Sequence, residues 1–273
     1  MPFLSRNLGD ARRARNGAHS MEIDLQGKTA LVTGAGSGIG SAIAVELGRN
    51  GAFVVVNYRS NEAGARETLA RIEQAGGKGQ IYAANVARAD EVQKLMDAIS
   101  NSAGRLDILV NNAGGLVQRA KVADMSEELW DEVMDINVKS TFLCCRAALP
   151  LMRGRGWGRI INMSSQAAHD GGGLGAAHYS AAKAAILTFT RGFAKEAASE
   201  GITVNCVAPG LIATAFHDTF STPESRRTMV SNTALAREGQ PADVANVVLF
   251  LASDLSGFLT GEAISVNGGQ RMG

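Results

Sequence analysis

The chain has few of the residues that mark the more specialised classes of protein. Its 273 residues include only three cysteines, Cys144, Cys145 and Cys206, without the spacing of a disulfide framework or a metal site. We therefore expect reduced thiols in the core of a cytoplasmic protein. The chain also lacks a Pro-, Gly- or Ser-rich linker, which argues against two domains joined by a flexible segment.

Long apolar runs and an excess of either charge are missing as well. No run approaches the roughly 20 residues that a membrane-spanning helix needs. The 27 basic residues are balanced by 26 acidic ones, which gives no electrostatic reason to expect nucleic acid or an anionic membrane as a partner. We therefore expect a small molecule as the ligand, and neither nucleic acid nor a membrane as a partner.

The first 24 residues differ from the rest. They contain Arg6, Arg12, Arg13 and Arg15 and little apolar periodicity, and they lack the apolar stretch of a secretory signal. We expect residues 1–24 to be a disordered extension and residues 25–273 to form a single domain. A transit peptide is the alternative interpretation of the extension.

Short apolar runs alternate with segments of helical periodicity from residue 28 onward. The predicted strands are Thr29–Val32, Phe53–Val56, Gln80–Ala83, Ile108–Val110, Arg159–Met163, Thr203–Val207 and Ala263–Val266. The predicted helices are Ile39–Arg49, Glu62–Ala75, Asp90–Ser102, Glu127–Met152, His178–Ser199 and Ala242–Ala252. Strands that are apolar throughout need both faces covered, which favours a doubly wound α/β fold with a parallel sheet. Such sheets bind ligands at the carboxyl ends of their strands.

A glycine-rich segment, Thr33 to Gly40, follows the first predicted strand and leads into an apolar helix. Glycines here let the backbone approach a pyrophosphate, whose charge is favoured by free N–H groups and the helix dipole. The spacing is T-G-x-x-x-G-x-G, and Ile39 stands where the last glycine of the usual G-x-G-x-x-G would be. Because the segment lies between a strand and a helix, it predicts a dinucleotide-binding site.

The end of the second strand indicates which dinucleotide is bound. An acidic residue there would bind the ribose 2′-hydroxyl of NAD, whereas an arginine can pair with the 2′-phosphate of NADP. Tyr58 stands at the acidic position and Arg59 follows it. We expect NADP(H) as the preferred cofactor, with NAD(H) as the alternative. The competing interpretation is that Arg59 is a solvated loop residue.

Tyr179 and Lys183 lie one helical turn apart in a long helical segment. A free tyrosine has a pKa of about 10, so acid–base chemistry near neutral pH needs a cation that stabilises the phenolate. Lys183 can supply that charge. Such a pair often occurs by chance, and its interpretation depends on the rest of the chain.

Further motifs follow the predicted strands in order. They are Asn111-Asn112-Ala113-Gly114, Asn137, Ser164-Ser165 and Pro209-Gly210. Together with the glycine-rich segment and the Tyr/Lys pair, they resemble the short-chain dehydrogenase/reductase family over about residues 25 to 270. The resemblance implies a single Rossmann-like domain, hydride transfer between NADP(H) and a carbonyl/alcohol pair, and no metal.

The resemblance implies four catalytic residues. Ser165 would hold the substrate oxygen, with Ser164 as the competing choice, and Tyr179 would exchange a proton with that oxygen. Lys183 would stabilise the phenolate and bind the nicotinamide ribose. Asn137 would anchor a water molecule in a proton relay.

The resemblance also implies the residues that bind the cofactor. They are Gly34, Ser37, Gly38, Ile39, Gly40, Tyr58, Arg59, Asn85, Val86, Asn112, Ala113, Gly114, Tyr179, Lys183, Pro209, Gly210, Ile212 and Thr214. One position departs from the family pattern, because Asn85 stands where an aspartate commonly contacts adenine. Asparagine can still accept a hydrogen bond, so we expect altered affinity rather than lost binding.

Two segments are expected to shape the substrate pocket, the long stretch Leu211–Ala236 and a loop insertion at Gly171–Gly173. Within the family the chain looks most like the 3-oxoacyl-acyl-carrier-protein reductases. In that case Lys195, Arg153 and Arg155 would help to dock an acidic carrier protein. The alternatives are a sugar or polyol dehydrogenase and, in another class, a non-catalytic NADP(H)-sensing protein. The resemblance further implies a homotetramer.

Overall fold

A parallel sheet forms the centre of the computed structural model, which describes residues 23–272. Within these residues the strands are β1 (Thr29–Val32), β2 (Phe53–Tyr58), β3 (Lys78–Ala83), β4 (Ile108–Asn111), β5 (Gly158–Met163), β6 (Ile202–Pro209) and β7 (Ala263–Val266). Their order is β3-β2-β1-β4-β5-β6-β7, and all neighbouring strands are parallel. The predicted doubly wound fold is confirmed. The predicted extension lies outside the described residues, except for Ile23 and Asp24.

The helices connect the strands in the expected alternation. They are α1 (Gly38–Arg49), α2 (Glu62–Gln74), α3 (Ala89–Ala103), α4 (Glu127–Met134), α5 (Ser140–Met152), α6 (Ala167–Asp170), α7 (Ala177–Ala197), α8 (Ala215–Phe220), α9 (Pro223–Ser231) and α10 (Pro241–Leu251). Sequence periodicity did not indicate α6, α8 or α9, because these helices are short or mostly polar. Within residues 23–272, no helix combines the length and the apolar character that crossing a bilayer requires.

Both faces of the sheet are covered, which explains the strands that are apolar throughout. In β1, Ala30 and Val32 belong to a cluster that includes residues of α1 and α10. Leu31, which points to the opposite face, belongs to a second cluster with residues of α3, α5 and α7. All three cysteines are free and buried.

The strand order reverses between β1 and β4. After β1 the chain builds the sheet outward through β2 and β3, and it then returns to add β4 on the other side of β1. At such a point the connections leave the two neighbouring strands in opposite directions, which opens a crevice at their carboxyl ends. The segments that follow β1 and β4 therefore border one crevice.

The single helix predicted for Glu127–Met152 is interrupted. A π-helical turn over Asp135–Lys139 separates α4 from α5. Such turns insert one extra residue into a helix and are frequent at functional sites. The turn contains Asn137, whose side chain is completely buried.

Candidate active site

The glycine-rich turn between β1 and α1 leaves the first turn of the helix open to a ligand. Ser37 precedes α1 in an extended conformation, and its hydroxyl makes no capping hydrogen bond. The N–H groups of that turn are therefore available to an anion such as phosphate. Gly40 tolerates no side chain, because a Cβ atom would lie 2.6 Å from the carbonyl oxygen of Gly34. The turn therefore packs tightly against the start of α1, and its backbone faces the crevice without side chains in between.

Two asparagines hold this turn from the side of β2. Asn57 accepts a hydrogen bond from the N–H of Gly34 at 3.2 Å, and its Nδ2 donates to the carbonyl of Ala84 at 3.1 Å. Asn61 donates from Nδ2 to the carbonyl of Gly36 at 3.0 Å. Sequence reasoning missed both roles. The available signal was an amide side chain directly after three valines in a buried strand.

The segment after β4 is tied to the same turn. The Thr33 hydroxyl accepts hydrogen bonds from the N–H groups of Asn112 and Ala113, both at 3.0 Å. In return, Nδ2 of Asn112 donates to the carbonyls of Thr33 at 2.9 Å and Gly34 at 3.1 Å. These bonds join the ends of β1 and β4 where the strand order reverses.

The ends of β2 and β3 carry the residues predicted for the adenosine end of the cofactor. Arg59 is exposed and makes no ion pair with any residue in the described range 23–272. Tyr58 is partly buried, and Val86 is buried. Asn85 accepts a hydrogen bond through Oδ1 from the N–H of Ala87 at 3.1 Å. The oxygen expected to meet adenine therefore already has one donor, although a carbonyl oxygen can accept two.

Tyr179 and Lys183 lie one turn apart on α7, as the spacing predicts. Nζ of Lys183 is 5.6 Å from the centre of the Tyr179 ring and donates to the carbonyl of Met163 at 2.9 Å. Burial lowers the pKa of Lys183 to about 8. Burial also raises the pKa of Tyr179, and a hydrogen bond with the Ser165 hydroxyl opposes that rise. Tyr179 is consequently protonated near neutral pH and able to donate.

The two serines after β5 have different surroundings. Ser164 is buried, and its hydroxyl donates to the backbone carbonyl of Lys183 at 2.8 Å. Ser165 is partly exposed, its hydroxyl accepts from the N–H of Ala167 at 3.2 Å, and it lines the same cavity as Tyr179, whose pKa it lowers. Of the two hydroxyls, that of Ser165 is therefore the one next to the phenol.

Asn137 joins the π-helical turn to the segment after β4. Its Nδ2 donates to the carbonyls of Gly115 and Val133, both at 2.8 Å, and its Oδ1 accepts from the N–H of Gly115 at 3.2 Å. Gly114 separates Asn137 from Lys183. A Cβ atom on Gly114 would lie 3.2 Å from Nζ of Lys183 and well under 3.0 Å from Oδ1 of Asn137.

The segment after β6 and the short helix α8 border the opposite side of the crevice. A Cβ atom on Gly38 would lie 3.5 Å from Cγ2 of Thr214, so this segment reaches the start of α1. The centre of the Phe216 ring is 5.9 Å from the centre of the Tyr179 ring. The stretch predicted to cover the substrate therefore contacts the tyrosine directly.

One cavity of about 480 Å³ connects these elements. The predicted residues that line it are Gly34, Ser37, Gly38, Ile39, Gly40, Asn112, Gly114, Ser165, Tyr179, Lys183, Pro209, Gly210, Ile212 and Thr214. The predicted residues outside its lining are Tyr58, Arg59, Asn85, Val86, Ala113 and Asn137. Tyr58 is the last residue of β2, the next four residues follow β2, β3 and β4, and Asn137 lies behind Gly114.

Gln166 is a cavity residue that sequence reasoning missed. It is buried directly after Ser165, and its Oε1 accepts from Nδ2 of Asn267 at 2.9 Å. Its own N–H donates to the carbonyl of Pro209 at 2.8 Å. Gln166 thereby fixes the Ser165 segment against the chain after β6 and β7. No local pattern reveals such a contact, because its partners are far away in sequence.

The cavity joins an uncapped helix N-terminus to a partly buried tyrosine and a buried lysine at the carboxyl ends of parallel strands. This arrangement defines the class of nucleotide-dependent oxidoreductases with an α/β fold. Comparison with known proteins agrees. Residues 34–271 match the family model adh_short_C2, described as enoyl-(acyl carrier protein) reductase.

Individual relatives resemble the chain over most of its length. The 3-oxoacyl-(acyl-carrier-protein) reductase FabG of Staphylococcus aureus is 43% identical over 245 residues, which is 90% of this chain and 98% of the relative. A short chain dehydrogenase from Burkholderia cenocepacia, solved in complex with NADP, is 33% identical with a TM-score of 0.84, covering 90% of this chain and 98% of that one. An NADH-dependent reductase, A1-R′, responsible for alginate metabolism, is also 33% identical with a TM-score of 0.84, covering 91% and 99%. The chain belongs to the short-chain dehydrogenase/reductase family.

Proposed function

We propose that this protein uses NADPH to reduce the ketone of a 3-oxoacyl thioester. The observation that carries the proposal is the convergence of Tyr179, Ser165 and Lys183 on one cavity that also contains the uncapped start of α1. Two hydroxyl groups that line one cavity suit a single substrate oxygen. The 43% identity to a 3-oxoacyl-(acyl-carrier-protein) reductase supports the thioester as substrate.

The protein's own residues would bind and orient both reactants. The cofactor supplies the hydride. The open N–H groups at the start of α1 fit its pyrophosphate, and Lys183 fits its nicotinamide ribose. Ser165 would hold the substrate oxygen by a hydrogen bond, and Tyr179 would give that oxygen a proton. The resulting phenolate is stabilised by the ammonium group of Lys183, whose charge is present below a pH of about 8.

Arg59 supports NADP(H) over NAD(H). It is exposed at the end of β2 and has no acidic partner within the described residues, so its charge is available for a 2′-phosphate. The relatives are divided, since the Burkholderia enzyme was solved with NADP and A1-R′ is NADH-dependent. The residue at the end of β2 is therefore the better guide for this chain.

Asn137 would act through other groups rather than on the substrate. Its Nδ2 uses both N–H groups in bonds to Gly115 and Val133, and its Oδ1 already accepts one bond from Gly115. We propose that Asn137 is a positioning residue that fixes the positions of Gly114 and Lys183 relative to each other.

The experiment is a substrate panel with purified protein and either NADPH or NADH. The panel contains 3-oxobutanoyl-N-acetylcysteamine, the matching enoyl thioester, a simple ketone and a set of sugars and polyols. We expect NADPH oxidation to be fastest with the 3-oxoacyl thioester. Fastest turnover of a sugar or polyol would favour the alternative dehydrogenase, and fastest turnover of the enoyl thioester would overturn the ketone as the reacting group.

Tyr179→Phe provides the mechanistic control. Without the proton donor, we expect turnover to fall about 10²- to 10⁴-fold while NADPH still binds, as measured by its fluorescence. Unchanged turnover in this variant would refute the mechanism. Binding of NADPH without turnover of any panel member by the unaltered protein would favour a nucleotide-sensing protein.

Carrier docking and self-association belong to the same proposal. Lys195 is exposed on α7, whereas Arg153 pairs with Glu200 at 3.6 Å, so Lys195 is the freer cation for an acidic carrier. Exposed Trp130 and Phe142 on α4 and α5 supply apolar surface for a homotetramer. Acyl-carrier-protein titration of Lys195→Gln and light scattering of the unaltered protein test these two points.

A further inference from the structure

Arg119 is a charged residue of the cavity whose guanidinium is held in place by backbone carbonyls and not by a carboxylate. It lies in the segment after β4, and Nε donates to the carbonyl of Phe220 at 3.0 Å. Nη1 donates to the carbonyl of Leu174 at 2.9 Å. Among residues 23–272, no acidic group pairs with Arg119 and none accepts a hydrogen bond from Nη2. A positioned guanidinium with one spare donor group therefore borders the cavity.

The two carbonyls belong to the segments that shape the substrate end of the cavity. Leu174 lies in the loop between α6 and α7, which precedes Tyr179, and Phe220 is the last residue of α8. The backbone of Ala120 adds a bond to the same loop, donating to Gly175 at 3.1 Å. The guanidinium thus lies where three connections meet, on the substrate side of the cavity rather than at the adenosine end.

The other polar groups of the cavity include one carboxylate, which forms no ion pair with Arg119 within residues 23–272. His217 and Ser225 line the same cavity, and each can donate a hydrogen bond. Asp170 also lines it, but its carboxylate accepts from the N–H of Gly172 at 2.8 Å and from Nε2 of Gln166 at 3.3 Å. The carboxylate of Asp170 is thereby hydrogen-bonded within its own segment of the chain.

We propose that Arg119 determines substrate specificity by binding an oxyanion, a carboxylate or a phosphate, that the carbonyl substrate carries. The inference rests on the proposed function, because it names the substrate class of the same site. An uncharged substrate lying over Arg119 would remove water from the guanidinium and return no hydrogen bond, which is costly. An oxyanion would replace that water with charge-assisted bonds from Nη2. The site should therefore discriminate in favour of anionic substrates.

The test uses two matched pairs of substrates, because the oxyanion has two candidate sources. In the first pair, a 4-oxo acid is compared with its methyl ester, which removes a carboxylate from the substrate chain. In the second pair, 3-oxobutanoyl phosphopantetheine is compared with 3-oxobutanoyl pantetheine, which removes the phosphate of the carrier arm. The measured quantity is the ratio of kcat/KM within each pair. A ratio cancels any general effect of a variant on the reaction.

For the unaltered protein we expect a ratio of at least about tenfold in favour of the anion in one pair, and that pair identifies the source. Arg119→Gln should reduce this ratio towards one, and Arg119→Lys should restore part of it. Lys121→Gln is the matched control, because it removes an exposed positive charge from the same segment but not from the cavity lining. The control should leave the ratio unchanged.

Ratios near one in both pairs, or a ratio that survives Arg119→Gln, would overturn the inference. A ratio that falls equally in Lys121→Gln would also overturn it, since the effect would then be one of general surface charge. Failure of the proposed function has a different signature. In that case neither pantetheine thioester is reduced, while the oxo acid pair still reports on Arg119.

Discussion

Two adjacent glycines offer a sharp test of how Lys183 is held. A Cβ atom on Gly114 would lie 3.2 Å from Nζ of Lys183 and well under 3.0 Å from Oδ1 of Asn137. A Cβ atom on Gly115 would meet only Cδ1 of Ile136, at 3.9 Å, which is an ordinary contact. Neither glycine has a positive φ, so backbone strain does not distinguish them. Gly114→Ala and Gly115→Ala therefore differ only in what the added methyl group contacts.

The collision at Gly114 has two expected costs. Overpacking typically destabilises a protein by about 1–3 kcal/mol, and for a chain of this size each kcal/mol lowers Tm by about 2–4 °C. The groups that must move are Asn137, which holds Gly115, and Lys183, whose Nζ lies 5.6 Å from the centre of the Tyr179 ring. A displacement of about 1 Å at such a site can reduce turnover about 10²-fold. We expect Gly115→Ala to retain Tm within about 2 °C and turnover within about threefold.

The assay combines thermal unfolding with steady-state reduction of a 3-oxoacyl thioester by NADPH. Loss of kcat in Gly114→Ala at a temperature where the variant is fully folded would support the collision as the cause. Equal behaviour of the two alanine variants would refute the reasoning, because it would mean that the Gly114 contact relaxes freely or has no influence on Lys183.

Three further predictions concern the cofactor, the proton donor and the cover of the cavity. Arg59→Gln should raise KM for NADPH about tenfold and leave KM for NADH nearly unchanged, and equal changes for both would contradict a phosphate contact. Proton donation by Tyr179 would form a phenolate that needs the charged form of Lys183. Since burial lowers the pKa of that lysine to about 8, kcat/KM should be level below pH 8 and fall above it. If kcat/KM instead rose through pH 8, the charged form of Lys183 would not be the one that the reaction needs. Arg226 on α9 pairs with Glu238 at 2.6 Å. Arg226→Gln should therefore loosen the segment that covers the cavity and raise the KM for the carbonyl substrate more than it lowers kcat. A change in kcat alone would exclude a covering role.

The main elements of the fold were predictable because their signals are local. The three consecutive valines of β2 need burial on both faces, and the glycine-rich segment marks a strand-to-helix turn whatever the rest of the chain does. The spacing of Tyr179 and Lys183 is likewise a property of one helix. The choice of Ser165 over Ser164 came from the family resemblance. It is supported by the Ser164 hydroxyl, which is buried and donates to a backbone carbonyl, whereas Ser165 is partly exposed in the cavity.

Contacts between distant segments were decided only by the tertiary structure. Asn57 supports the glycine-rich turn and Gln166 supports the Ser165 segment, yet each does so through partners on other strands or connections. The π-helical turn at Asn137 interrupts a segment whose periodicity indicates one continuous helix, because the buried amide bonds to Gly115. Arg119 is an unremarkable loop residue in the sequence. Its carbonyl partners lie 55 and 101 residues away, and only the folded chain brings them to one guanidinium.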